Sequence, residues 1–226
     1  MADLLPLFLN LTGRAVLLVG GGRVATAKLQ QLLATGARVR VVAPEISEEI
    51  LGTTPHVQVA QRPFVPADLD GVWLVVAAAT PPVNREVAAV AETQRVFVNA
   101  VDDPANASAF LSGVVRRDGV TLAISTSGDA PALTALLREA FDALLPRDLA
   151  RWVWQARAER VVWRRDGVPM DARKPRLLRA LNALYEKATA AHAESVEKSY
   201  FGAARVSVVE PGPNVPWLNG PEDSWL

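Results

Sequence analysis

The residues Gly20-Gly21-Gly22-Arg23-Val24-Ala25 follow an apolar run, Ala15 to Val19, and open a stretch with helical periodicity. In that setting G-x-G-x-x-A has a defined chemistry. The first glycine allows a tight turn, the second lets a pyrophosphate approach the backbone, and the small third residue keeps helix close to strand. Free N–H groups and the dipole at the helix N-terminus then favour the phosphates. Gly20 and Gly22 are therefore expected to contact a dinucleotide. An acidic residue is expected roughly 20 positions further on to hold the ribose hydroxyls. The chain reads Val41-Val42-Ala43-Pro44 there, with Glu45 one or two positions late. Arg38 and Arg40 lie nearby and would instead favour a 2′-phosphate, so the pattern prefers NAD while leaving NADP open.

Asp102 is the second candidate. It follows an apolar run, Arg95 to Val98, and reacting groups in an open α/β sheet gather at the carboxyl ends of strands. A carboxylate there suits a general base. Equally, Asp102 or Asp103 starts a turn before Pro104.

The third is a basic stretch. Residues 147 to 179 carry ten Lys or Arg against four acids, and Arg157, Arg160 and Arg164 share one helix face. Arginine grips carboxylates with paired hydrogen bonds, although such a face is as readily just solvated. Trp152, Trp154 and Trp163 interleave with these arginines, a pattern also seen in nucleic-acid binders. With 24 basic and 24 acidic residues overall, no general positive field gathers nucleic acid or anionic membrane. The absence of cysteine excludes disulfides, thiolate metal sites and cysteine nucleophiles. His56 and His192 read as surface residues, so no resident metal is expected. The apolar start lacks a basic leader and is interrupted by Gly13 and Arg14 short of a membrane span; a cytoplasmic protein is expected.

The elements that must carry these residues follow from hydrophobic pattern. Ala15–Val19, Arg38–Val42, Val72–Ala78 and Arg95–Val98 read as buried parallel strands, and Arg23–Thr35 and Val83–Glu92 as helices, with Gly36 ending the first. This alternation specifies an α/β protein with a Rossmann-type, doubly wound parallel sheet. Phe110–Val115 and Val120–Ser125 flank Asp118-Gly119, a hairpin signal; the hairpin either extends the sheet or makes a dimer contact. Pro131 starts a helix whose Leu133, Leu136, Leu137, Ala140, Phe141 and Leu144 form an apolar stripe. That surplus of apolar surface predicts a homodimer. Helical stretches at 147–165 and 171–191 follow, then a tail rich in Pro and Gly. The expected division is a nucleotide-binding domain at 1–109, a dimerisation region at 110–146, a helical domain at 147–195 and a tail at 196–226.

Several motifs in order resemble the siroheme synthase N-terminal family, which comprises precorrin-2 dehydrogenases and sirohydrochlorin ferrochelatases. They are Leu5-Pro6-Leu7-Phe8, the triple glycine, Val76-Ala77-Ala78-Ala79-Thr80 with Asn84, Asn99-Ala100-Val101-Asp102, and Ile124-Ser125-Thr126-Ser127-Gly128-Asp129-Ala130-Pro131. The resemblance implies NAD-dependent dehydrogenation of precorrin-2 to sirohydrochlorin, with or without ferrous iron then taken as a substrate for siroheme. It ties catalysis to Asp102 and NAD contact to Arg23, Val24, Pro44 and Glu45, with Thr80 beside them. Asn99, Ser125, Thr126, Arg157 and Arg160 are then the candidates for the tetrapyrrole. The family's loop reads Ser-Thr-Gly-Gly-Lys-Ser-Pro, so residues 125–131 here lose the hydroxyl at position 130, carry one at Ser127 instead, and have Asp129 in place of the positive charge. A non-catalytic, NAD-sensing regulatory domain is the reading from another class.

Overall fold

In the computed structural model, residues 4–53 and 57–200 are described, with side chains as far as residue 185. His56 and the tail from residue 201 lie outside them, as does the side chain of His192. The first half alternates strictly: β1 (Ala15–Val19), α1 (Arg23–Leu33), β2 (Arg38–Ala43), α2 (Glu48–Leu51), β3 (Gln58–Gln61), β4 (Leu74–Ala77), α3 (Pro81–Gln94) and β5 (Phe97–Ala100). The five strands form one parallel sheet in the order β3-β2-β1-β4-β5. Successive side chains on a strand point to opposite faces, and here both faces are covered. Val16 and Leu18 join Leu29, Leu32 and Ile50 in one core, while Leu17 and Val19 join Val87, Ala88 and Ala91 in the other. This explains why the strands read as unbroken apolar runs.

The chain order reverses at β1, which has β2 on one side and β4 on the other. Val19 aligns with Val42 and with Ala77, so the loops carrying Gly20, Pro44 and Ala78 emerge together at the carboxyl edge.

Some boundaries differ from the sequence expectation. The last strand runs Phe97–Ala100 rather than Arg95–Val98, because Arg95 takes a left-handed conformation (φ 58°) that ends α3. The fourth strand is shorter than 72–78, and α2 and β3 have no counterpart among the expected elements. Ser47 caps α2 through its side chain, with Glu48 and Glu49 in the first turn.

Between β3 and β4, Asp68 is 2% exposed. It accepts hydrogen bonds from both terminal nitrogens of Arg62 at 2.8 and 2.7 Å and from the Val65 N–H at 3.0 Å. The Arg62 hydrogen bonds, chiefly, hold its carboxyl below the usual carboxylate range.

β6 (Gly113–Arg117) and β7 (Val120–Ile124) form a separate antiparallel pair; of the two expectations for the hairpin, extension of the main sheet is therefore excluded. α4 (Pro131–Leu144) packs on it: Thr126 and Thr134 share a hydroxyl hydrogen bond of 2.9 Å, and Arg117 binds Asp142 at 2.6 Å. These elements belong to one compact unit, which ends at residue 150, and the described residues after it to another. The second holds α5 (Leu149–Arg165) but for its first two residues and α6 (Met170–Tyr200); Trp163 is buried, and the Trp152 indole donates to the Tyr185 hydroxyl at 2.7 Å. Among the described residues no helix is long and apolar enough to cross a membrane.

Candidate active site at the carboxyl edge of the sheet

The three glycines serve different ends. Gly20 has φ 131°, and a Cβ there would stand 2.2 Å from the Ala78 carbonyl oxygen, so the turn requires glycine. At Gly21 a Cβ would lie 1.9 Å from the Glu45 carbonyl oxygen. The Ser47 N–H donates to the Gly21 carbonyl at 2.8 Å, and the Thr26 and Ser47 hydroxyls meet at 3.1 Å. The loop after β2 is thereby fastened to the glycine turn. At Gly22, the N-cap of α1, a Cβ would meet nothing within 4 Å. Open space over the first turn, with no acidic side chain in it, fits a pyrophosphate, whose oxygens the free helix N–H groups would receive.

Arg23, Val24, Pro44, Glu45 and Thr80 are all exposed around this opening. Thr80 is the N-cap of α3, and its hydroxyl makes no capping hydrogen bond. Arg38 and Arg40 are corrected as candidates for a 2′-phosphate. Arg38 pairs with the first residue of β1, roughly 13 Å along the strand from its carboxyl end. Its Nε donates to the Gly13 carbonyl at 2.9 Å, while Arg40 binds the backbone carbonyl of Asp68. Both are structural.

Asp102 follows β5 by two residues, is exposed and has φ 56°. Aspartate tolerates this left-handed conformation better than most side chains. Asp103, not Asp102, starts the following turn: it is the N-cap, and its Oδ2 accepts from the Asn106 side chain at 2.8 Å. The sequence offered either Asp102 or Asp103 as the start of that turn, and the structure gives it to Asp103.

A cavity of about 250 Å3 brings Asn99, Asp102, Ser125 and Thr126 together. Not all of them are uncommitted. The Asn99 amide donates to the Ala109 carbonyl at 3.0 Å, and the Thr126 hydroxyl accepts from the Ala130 N–H at 3.2 Å. Arg157 and Arg160 stand exposed on α5 in the second unit, with Arg164 on the same face. Among the described residues, no group of three or more acids or histidines comes together as a metal site.

Two residues of the site were given no role by sequence reasoning, Asn84 having been named only within a motif. Asn84 is 3% exposed; its Oδ1 accepts from the Ala79 N–H at 3.0 Å, and its Nδ2 donates to the Val101 carbonyl at 3.4 Å. It joins the loop that borders the nucleotide opening to the turn that presents Asp102. Lys28, on α1, lines the cavity with Asp102. Burial pushes its ammonium below the usual lysine range, and the Asp102 charge works in the opposite direction.

Residues 7–113 match a family described as "Putative NAD(P)-binding". The chain is 43% identical over 150 residues to siroheme synthase 3 of Aeromonas hydrophila, an alignment covering 65% of this chain and 32% of that one. It is 44% identical over 149 residues to the siroheme synthase of Tolumonas auensis, covering 65% and 32%. The chain thus spans about a third of the length of these curated relatives. Among solved structures it resembles SirC, a precorrin-2 dehydrogenase, with a TM-score of 0.59 and 26% identity over 78% of this chain and 88% of that one.

Proposed function

We propose that the chain is a member of the siroheme synthase N-terminal family and that it oxidises precorrin-2 to sirohydrochlorin with NAD as hydride acceptor. The observation that carries this reading is the placement of Asp102: an exposed carboxylate in a cavity at the same sheet edge as the open glycine turn. Bound NAD would supply the hydride acceptor. The chain's own residues do the rest. The first turn of α1 and Gly22 receive the pyrophosphate, while Glu45, Pro44, Arg23, Val24 and Thr80 border the remainder of the nucleotide. Loss of a hydride from one ring carbon leaves a proton to be removed from the adjoining position, and the Asp102 carboxylate accepts it. The products are sirohydrochlorin, NADH and a proton that Asp102 passes to solvent.

Asn99, Ser125 and Thr126 line the tetrapyrrole's side of the cavity, and Arg157 and Arg160 on α5 are candidates for its outer carboxylates. Insertion of ferrous iron into sirohydrochlorin would need removal of pyrrole protons, for which Asp102 is again the base. A homodimer through the hairpin and α4 belongs to the same reading, as does the division at residues 109, 146 and 195.

The test is anaerobic. Purified protein, NAD and precorrin-2 are mixed and the tetrapyrrole spectrum followed, first without metal and then with ferrous iron. Asp102→Asn is expected to bind NAD as before and to lose about 10²-fold or more in turnover, the usual worth of a positioned base. Near wild-type turnover at saturating substrate would remove Asp102 from the reaction. NAD binding by the wild type with no turnover at all would favour the NAD-sensing domain.

A further inference from the structure

Lys28 is the single cation among the residues lining the cavity around Asp102, and no step of the proposed reaction uses it. It lies at the edge of the buried face of α1, beside Ala25, Leu29 and Leu32, which are between 0 and 2% exposed. An ammonium so placed gives up part of its hydration, which is costly unless an anion replaces the water. Asp102 is the obvious anion. Yet among the described residues the side chains of Lys28 and Asp102 make no ion pair or hydrogen bond, although the Asp102 charge acts on the ammonium. Two opposite charges therefore line one cavity without closing on each other.

Most of the other polar side chains of the cavity have partners. Asp103 is held by Asn106, the Asn99 amide by Ala109, and the Thr126 hydroxyl by Thr134 and the Ala130 N–H. Lys28 thus offers three donors to whatever enters. Pro131, at the first turn of α4, lines the same cavity, and the partial positive charge of that helix end acts in the same sense.

We propose that Lys28 holds one carboxylate side chain of the tetrapyrrole, and so fixes which edge of the ring faces Asp102. The identity of the ligand rests on the dehydrogenase reading; the acid-binding role does not. Lys28 is then a specificity-determining residue. It belongs to the helix whose first turn is offered to the nucleotide, so one helix positions both reactants.

The experiment compares Lys28→Met and Lys28→Arg with the wild type by titration of uroporphyrin, a fluorescent octacarboxylate, in the presence of NAD, and by steady-state turnover of precorrin-2. Lys28→Met is expected to weaken uroporphyrin binding and raise KM about ten- to a hundredfold, the worth of one charge-assisted hydrogen bond, with kcat changed less than about threefold. Lys28→Arg is expected to recover most of the affinity. NAD affinity stays at the wild-type value in both, which also reports that α1 is folded. Unchanged uroporphyrin affinity in Lys28→Met would overturn the proposal, as would a fall in kcat alone, since Lys28 would then act on Asp102 and not on the ligand. Should Lys28→Met fail to fold, Lys28→Gln gives the same comparison. If the wild type does not turn over precorrin-2, the dehydrogenase reading fails while the uroporphyrin titration still reads Lys28 directly.

Discussion

A Cβ on Gly21 would collide with the Glu45 carbonyl, whereas one on Gly22 would enter open space, so these neighbours separate folding from binding. Gly22→Asp is expected to leave the melting temperature nearly unchanged and to abolish NAD binding, because its carboxylate would be drawn to the helix end and occupy the place of the pyrophosphate. Gly21→Ala is expected to displace the Glu45–Ser47 loop and cost about 1–3 kcal/mol, as overpacking does. Calorimetric titration with NAD beside thermal melts measures both, and wild-type NAD affinity in Gly22→Asp would remove the dinucleotide argument. The roles of Gly20 and Gly22 were legible in the sequence because their spacing alone defines the turn. That of Gly21 was not, since the atom it must avoid is 24 positions away. Lys28 was hidden for a related reason: a lysine within a polar stretch of α1 looks solvated until β5 brings Asp102 to the same cavity. Which of Asp102 and Asp103 starts the turn before Pro104 was likewise not legible, being a matter of backbone geometry.

Helix α4 shows what pattern reveals at the scale of an element. Its apolar stripe was readable from three- and four-residue spacing, but spacing does not say what a stripe faces. In the chain alone, Leu133, Leu136, Phe141 and Leu144 are between 43 and 76% exposed. The helix meets β6 through Asp142 and the segment after β7 through Thr134 instead, leaving the stripe outward. A homodimer through this face requires Leu136→Asp to dissociate it. Light scattering is expected to show twice the 24.3 kDa chain mass for the wild type and a single chain for the variant. The melting profile of the dissociated chain should shift little from substitution at an exposed site, within about 0.5 kcal/mol, apart from the loss of dimer contacts. A wild type that is already monomeric, or a variant that stays dimeric, would exclude this face. Arg95 marks the opposite limit: read as strand, it ends α3, because a left-handed residue was needed there and the local sequence supplied no glycine.

On the scale of the whole molecule, the parallel sheet was legible because each central strand is apolar on both faces, and the order of its strands follows from the fold class. Its edges were not, since they are finished by local hydrogen bonds. At β5, the Ser108 hydroxyl accepts the Val98 N–H at 3.0 Å, and the Ser108 and Ala109 N–H groups both reach the Val98 carbonyl at 2.9 Å. At the other edge, β3 is four residues long and begins and ends in glutamine. Blunted edges of this kind deny a second chain a template for pairing. Their importance grows with the charge balance: at 24 basic and 24 acidic residues and a sequence pI of about 6.8, little long-range repulsion keeps copies apart near neutral pH. Shelf life in concentrated solution is therefore expected to depend on Ser108, which is not among the residues lining the cavity. Ser108→Ala, which releases the Val98 N–H, is expected to grow turbid on storage at pH 7 while the wild type stays clear, and to be slowed at pH 9, where the chain is anionic. Equal clarity of the two proteins at pH 7 would show that the rest of the segment after β5 closes that edge unaided.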